Sequence, residues 1–132
     1  MSHTKPVIMV VDDNPEWLQT IKRVLRIIPE FDIVMYSDPF KALTSAVRVD
    51  PSVILMDMML YRFDGIKVLR EIRKQGVTAP AIILTAYDGA VITKRICPEN
   101  NIRAVIDKTN MVSTLVDAVV DAYQSSSKGV YA

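Results

Sequence analysis

Five short runs of aliphatic and β-branched residues constrain this chain more than any other feature. They are VIMVV (7–11), DIVMY (32–36), SVILMD (52–57), AIILT (81–85) and AVID (104–107). Runs that stay apolar at successive positions, rather than alternate ones, read as strands covered on both faces, as in a parallel sheet. Between them, apolar residues recur at helical spacing. Asn14 caps a first helix with Pro15 at its first position; Trp17, Leu18, Ile21, Val24, Leu25 and Ile28 follow, and Pro29 stops it. Asp38 and Pro39 open a second, with Phe40, Leu43, Ala46 and Val47 as its apolar stripe. Asp50-Pro51 makes a turn. Asp64 caps a third helix that buries Ile66, Leu69 and Ile72 and stops at Gly76. A weaker helix is expected over about residues 89–97, before Pro98. Asn110 caps a last helix carrying Val112, Leu115, Val116, Val119 and Tyr123. Strand-helix alternation of this kind predicts an α/β fold around a parallel sheet, with right-handed crossovers.

In such a sheet, ligands bind outside the carboxyl ends of the strands, where strand order reverses. Position therefore singles out residues that composition would not. The first strand ends in Asp12-Asp13, the third in Asp57, the fourth in Thr85 and the fifth in Asp107-Lys108. Asp57 is the hardest to dismiss. It follows a wholly apolar strand, and VILMDMML (53–60) surrounds it with aliphatic and thioether side chains. Desolvating a carboxylate there costs several kcal/mol, ~2 or more, unless something offsets its charge. Taken singly, the others have plainer readings. Asp12 and Asp13 suit the positive end of a helix, Thr85 suits a strand end, and Lys108 suits solvent. Together they describe a pocket. Three carboxylates on one sheet edge call for a cation, and an all-oxygen donor set points to Mg²⁺ or Mn²⁺. With the Lys108 ammonium and the Thr85 hydroxyl, the same edge suits a phosphoryl group beside a carboxylate able to attack phosphorus.

VVDD (10–13), ILMD (54–57) with Gly65 eight residues on, LTA (84–86) and Lys108 resemble the receiver domain of two-component response regulators. The resemblance spans about residues 6–124. It implies a doubly wound five-stranded parallel sheet, (βα)5 and flavodoxin-like, with strand order 2-1-3-4-5. It implies that Asp57 accepts a phosphoryl group from a phosphohistidine on a sensor histidine kinase or a histidine phosphotransfer protein. Asp13 and Asp57 would bind Mg²⁺ directly with the Met59 backbone carbonyl, and Asp12 largely through water. Thr85 would touch the phosphoryl group and Lys108 would pair with it or with Asp57. The same resemblance implies output through the surface of the fourth helix, fifth strand and fifth helix, to a protein target or an attached domain. A homodimer is compatible with it.

Four departures from the family pattern carry expectations of their own. Tyr61 stands where the family usually has a proline, which alters the loop. Thr109 follows Lys108, where the family usually has a proline in a cis peptide. A cis bond before a non-proline residue costs about 2.5–4 kcal/mol, so either the bond is trans and Lys108 is displaced, or surrounding contacts force the isomer. Val105 replaces the usual aromatic switch residue, so the signal travels by another contact or is weak. Met59 and Tyr87, with Ala86 between Thr85 and Tyr87, put a thioether and a ring beside the phosphoryl site. They are expected to exclude water and prolong the phosphoryl lifetime.

The chain has 132 residues, enough for one core, of which 50% are hydrophobic and 23% charged. A net charge of +1 gives no whole-chain attraction to nucleic acid or anionic lipid. Cys97 is the single cysteine, which excludes an internal disulfide and a thiolate cluster. His3 is the single histidine, so the phosphoryl donor is another protein. No apolar run reaches the ~18–20 residues of a membrane span, and the first residues do not read as a signal peptide. A cytoplasmic protein is expected, with a leader over 1–5, the receiver over 6–124, and a flexible tail or linker start over 125–132. Four other readings compete. A degenerate receiver would dock without efficient phosphorylation, and the chain would otherwise be a piece of a larger regulator or hybrid kinase. A flavodoxin-like cofactor binder would want Ser, Thr and Gly in place of Asp12-Asp13. A haloacid-dehalogenase-like phosphatase would want an acid at position 59, which is Met.

Overall fold

A computed structural model describes residues 5–60, 62–86 and 100–125. In chain order its elements are β1 (Val7–Val11), α1 (Pro15–Leu25), β2 (Asp32–Tyr36), α2 (Pro39–Val49), β3 (Val53–Asp57), β4 (Met59–Leu60), β5 (Phe63–Asp64), α3 (Gly65–Lys74), β6 (Ala81–Thr85), β7 (Ile102–Asp107), a 3₁₀ turn (Lys108–Asn110) and α4 (Met111–Gln124). The helix expected over 89–97, with Cys97, lies outside the described residues, as do His3, Tyr61, Tyr87 and the end of the tail.

Five strands pair in parallel in the order β2-β1-β3-β6-β7, which is 2-1-3-4-5 counting sheet strands alone. β4 and β5 form a separate two-stranded hairpin directly after Asp57. The three central strands are buried at every position, as their unbroken apolar runs require. Their side chains alternate between two cores. Met9, Val11, Ile54, Met56, Ala81 and Ile83 meet α2 and α3 on one face. Ile8, Val10, Val53, Leu55, Ile82 and Leu84 meet α1 and α4 on the other. Each fully buried aliphatic side chain contributes about 1.5–3 kcal/mol. The run leading into Asp57 therefore more than offsets the cost of carrying a carboxylate at its end.

Three of the four predicted caps form where the residue types put them; the fourth, Asn110, makes no side-chain cap. Asn14 Oδ1 accepts from the N–H of Glu16 and Trp17, Asp38 Oδ1 from Phe40, and Asp64 Oδ1 from Ile66 and Lys67. Gly76 follows α3 with φ +91°, the left-handed conformation that favours glycine at this place. Four details differ from the sequence reading. First, α1 ends at Leu25, not at Pro29. The chain then tightens into i to i+3 hydrogen bonds that turn Ile27 out and Ile28 in. Second, α2 buries Ala42, Ser45, Ala46 and Val49, whereas Phe40 and Val47, expected in its core stripe, face solvent. The helix has two apolar stripes, and the one with smaller side chains lies closer to the sheet. Third, β7 begins at Ile102, two residues early. Fourth, Val112 faces solvent, and α4 packs through Met111, Leu115, Val119 and Ala122. Asn110 gives α4 no side-chain cap.

Candidate phosphoacceptor site

Asp12 sits just past β1, whose edge pairing is extended by its own N–H donating to the Tyr36 carbonyl at 3.1 Å. Asp57 ends β3 and Thr85 ends β6, while β7 delivers Lys108. Register places them together. Asp57 pairs with Leu84, and Thr85 with Asp107, so all four reach the same carboxyl edge of the sheet. Asp12, Asp57, Thr85 and Lys108 are buried and Asp13 is half-buried. Asp12, Asp13 and Asp57 each bring a carboxylate oxygen within 4.8 Å of the others.

Lys108 closes the pocket. Its ammonium lies 2.9 Å from Asp12 Oδ2 and 3.3 Å from Asp57 Oδ1, and the residue is only 6% exposed. No cis peptide occurs among the described residues, so the Lys108–Thr109 bond is trans. The lysine is nevertheless not displaced, which corrects the expectation that a trans bond moves it. The reason is local. Asp107 Oδ1 accepts from both the N–H and the hydroxyl of Thr109 at 2.9 Å, building the 3₁₀ turn that aims Lys108 inward. Proline has no N–H to donate here, so threonine supplies a turn of its own kind. These two bonds hold the Asp107 carboxyl below its ordinary range.

Asp57 is shifted the other way. Burial, then the neighbouring Asp12 charge, push its pKa up to about 6, against the opposing pull of Lys108 and of the Met59 N–H. The three acids outnumber the one ammonium, so the pocket keeps an excess of negative charge. Asp12 Oδ1 accepts from the Asn14 N–H at 3.0 Å, but buried Asp12 Oδ2, though ion-paired, has no hydrogen-bond partner. That spare lone pair, within an all-carboxylate donor set, fits a hard divalent cation such as Mg²⁺.

The remaining predicted residues fall around this centre. Met59 starts the β4–β5 hairpin, is 50% exposed, and meets Asp57 through its backbone N–H, which donates to Asp57 Oδ1 at 3.5 Å. Ala86 is exposed just past Thr85. Val105 is half-buried in β7 and packs on the α2–α3 side. Two contacts escaped the sequence reading. Trp17, on the first turn of α1 and close in sequence to Asp12 and Asp13, has the Lys108 ammonium over its ring at 4.9 Å from the centroid. Gly65, known from its spacing alone, has a physical role. A Cβ there would fall on the Asp57 carbonyl oxygen, and its N–H already donates to the Met58 carbonyl at 2.7 Å.

The profile of the response regulator receiver domain matches residues 8–120. The chain belongs to that family. This receiver domain is similar to the nitrate/nitrite response regulator protein NarP of Escherichia coli, with 34% identity over 84 residues, covering 63% of this chain and 39% of NarP. It is also similar to the alkaline phosphatase synthesis transcriptional regulatory protein PhoP of Bacillus subtilis, with 36% identity over 81 residues, covering 61% of this chain and 33% of PhoP. The chain thus spans well under two thirds of these relatives. The receiver domain of Francisella response regulator 1452 superposes with a TM-score of 0.78 at 27% identity, covering 91% of this chain and 98% of that one. The receiver domain is a regulatory module of two-component signalling, and its sheet is that of the flavodoxin-like receivers. Among the described residues no helix is long and apolar enough to cross a membrane.

Proposed function

We propose that Asp57 is the phosphoacceptor of a cytoplasmic two-component pathway, charged by a phosphohistidine on a sensor histidine kinase or histidine phosphotransfer protein. The observation that carries this reading is the buried Lys108 ammonium between Asp12 and Asp57. A carboxylate oxygen of Asp57 attacks phosphorus, and the bond from phosphorus to the donor nitrogen breaks as the new P–O bond forms. Asp12, Asp13, Asp57 and the Met59 carbonyl would hold Mg²⁺, which when bound offsets charge on the carboxylates and the phosphoryl oxygens. Lys108 pairs with phosphoryl oxygen in place of Asp57, and Thr85 donates its hydroxyl to another. The domain catalyses only its own phosphorylation and dephosphorylation. Output goes to a protein target or an attached domain through the 89–97 segment, β7 and α4, with a homodimer as one form of that contact. Neither nucleic acid nor membrane is bound directly.

The degenerate alternative rested on the missing proline and aromatic. Against the first of these stands the 3.3 Å distance from the Lys108 ammonium to Asp57 Oδ1, reached with Thr109 in the proline's place. Incubation with acetyl phosphate or beryllofluoride and Mg²⁺ tests the proposal. A Mg²⁺-dependent modification of the wild type, lost in Asp57→Asn, is expected. A wild type that takes up neither overturns it.

A further inference from the structure

The Lys108 ammonium has three N–H donors and almost no access to water. Asp12 Oδ2 lies 2.9 Å and Asp57 Oδ1 3.3 Å from the ammonium. The ammonium also lies over the Trp17 ring. Trp17 is tied to the pocket through its backbone as well. Its N–H donates to Asn14 Oδ1 at 3.3 Å, and the Asn14 N–H donates to Asp12 Oδ1. Ring, helix cap and carboxylate are therefore parts of one short segment, and that segment faces an ammonium delivered by the far end of the chain. A cation over an indole face is attracted by the ring quadrupole, more strongly where water is excluded.

We propose that Trp17 is a positioning residue for Lys108, its indole face holding the ammonium between Asp12 and Asp57 through a cation–π contact. The inference rests on the reading of Asp57 as phosphoacceptor. It adds to that reading the group that aims the lysine from outside the acidic pocket. Leucine at position 17 keeps the apolar packing of α1 and removes the ring, whereas phenylalanine keeps a π face. The same contact makes the single tryptophan of the chain a reporter of the lysine's place.

The test compares the full chain as wild type, Trp17→Phe, Trp17→Leu and Lys108→Met. In metal-free protein, the Lys108 Cε protons are expected upfield of their ordinary NMR position in wild type and Trp17→Phe, and back at it in Trp17→Leu. Trp17 emission is expected to differ between wild type and Lys108→Met. With saturating Mg²⁺ and acetyl phosphate, Trp17→Phe is expected within about two-fold of the wild-type phosphorylation rate, and Trp17→Leu about five-fold below it. Unshifted Lys108 protons in the wild type, identical emission in Lys108→Met, or equal rates for Trp17→Phe and Trp17→Leu overturn the proposal. Should Trp17→Leu not fold, the wild-type proton shifts and the Lys108→Met emission decide alone. A wild type that takes up no phosphoryl group refutes the acceptor role, and the proton shifts still decide the position of the lysine.

Discussion

Asp57 holds its proton more tightly in the folded chain than in the unfolded one, because burial and Asp12 raise its pKa from 3.8 to about 6. Its contribution to stability is full below the unfolded value and is lost as pH rises through the folded one. In metal-free protein this amounts to about 3 kcal/mol surrendered between those two pH values. Asp57→Asn is expected to flatten that interval and to raise neutral-pH stability by about 1–3 kcal/mol, measured by urea unfolding with chelator present. A wild-type curve parallel to that of the variant would count against it. Gly65→Ala is expected to cost about 1–3 kcal/mol, since a methyl group must displace the Asp57 peptide. Its Mg²⁺ affinity, read by calorimetry, should fall with it. Met59→Asn is expected to shorten the phosphoryl lifetime by placing a polar group two residues beyond Asp57. An unchanged decay rate of phosphorylated protein would refute the shielding role of the thioether. The charged residues of the site were legible in the sequence because strand ends are few and each carries an unusual side chain. The indole over Lys108 was not, because no local pattern links position 17 to position 108.

At the level of elements, strands and caps were legible because both depend on short-range chemistry. An unbroken apolar run and an Asn-Pro or Asp-Pro pair announce themselves. The faces of α2 and α4 were harder. Each helix has apolar residues on more than one side, and only packing decides which side meets the sheet. In α2 it is the small one, which leaves Phe40 exposed at 60% in edge-to-face contact with Phe63, 5.4 Å between centroids. The turn after β7 shows a similar limit. Asp107 and Thr109 build it together, and an expectation framed around a missing proline did not include that pair. Arg73 also went unread. From the last turn of α3 its guanidinium donates twice to the Asn100 carbonyl, at 2.9 and 2.7 Å, and once to that of Val77 at 3.0 Å. Burial lowers its pKa to about 10, still well above neutrality. This fork joins α3 to the residue that leads into β7. Arg73→Lys loses the planar geometry and is expected to cost about 1.5–3 kcal/mol in a urea melt. A loss within the scatter of a surface substitution would show the fork to be dispensable.

For the molecule as a whole, the two cores on opposite sheet faces mean that α2–α3 and α1–α4 share little besides the strands between them. The site lies where the strands end and so belongs to neither layer alone. Its charges come from opposite ends of the sequence: Asp12 follows the first strand, and Lys108 follows the last. That separation bears on time as well as space. A pocket that needs both ends of the chain is complete only after nearly all other contacts have formed, and closing so long a loop is slow. A cation bound there should contribute little to the rate-limiting species of folding and much to the finished fold. In stopped-flow denaturant jumps, saturating Mg²⁺ is expected to slow the unfolding limb and leave the refolding limb where it was. A refolding rate that climbs with Mg²⁺ would mean the acids gather early. A slowed unfolding limb alone would mean that a cation held by these acids sets how long each folded molecule survives before it opens.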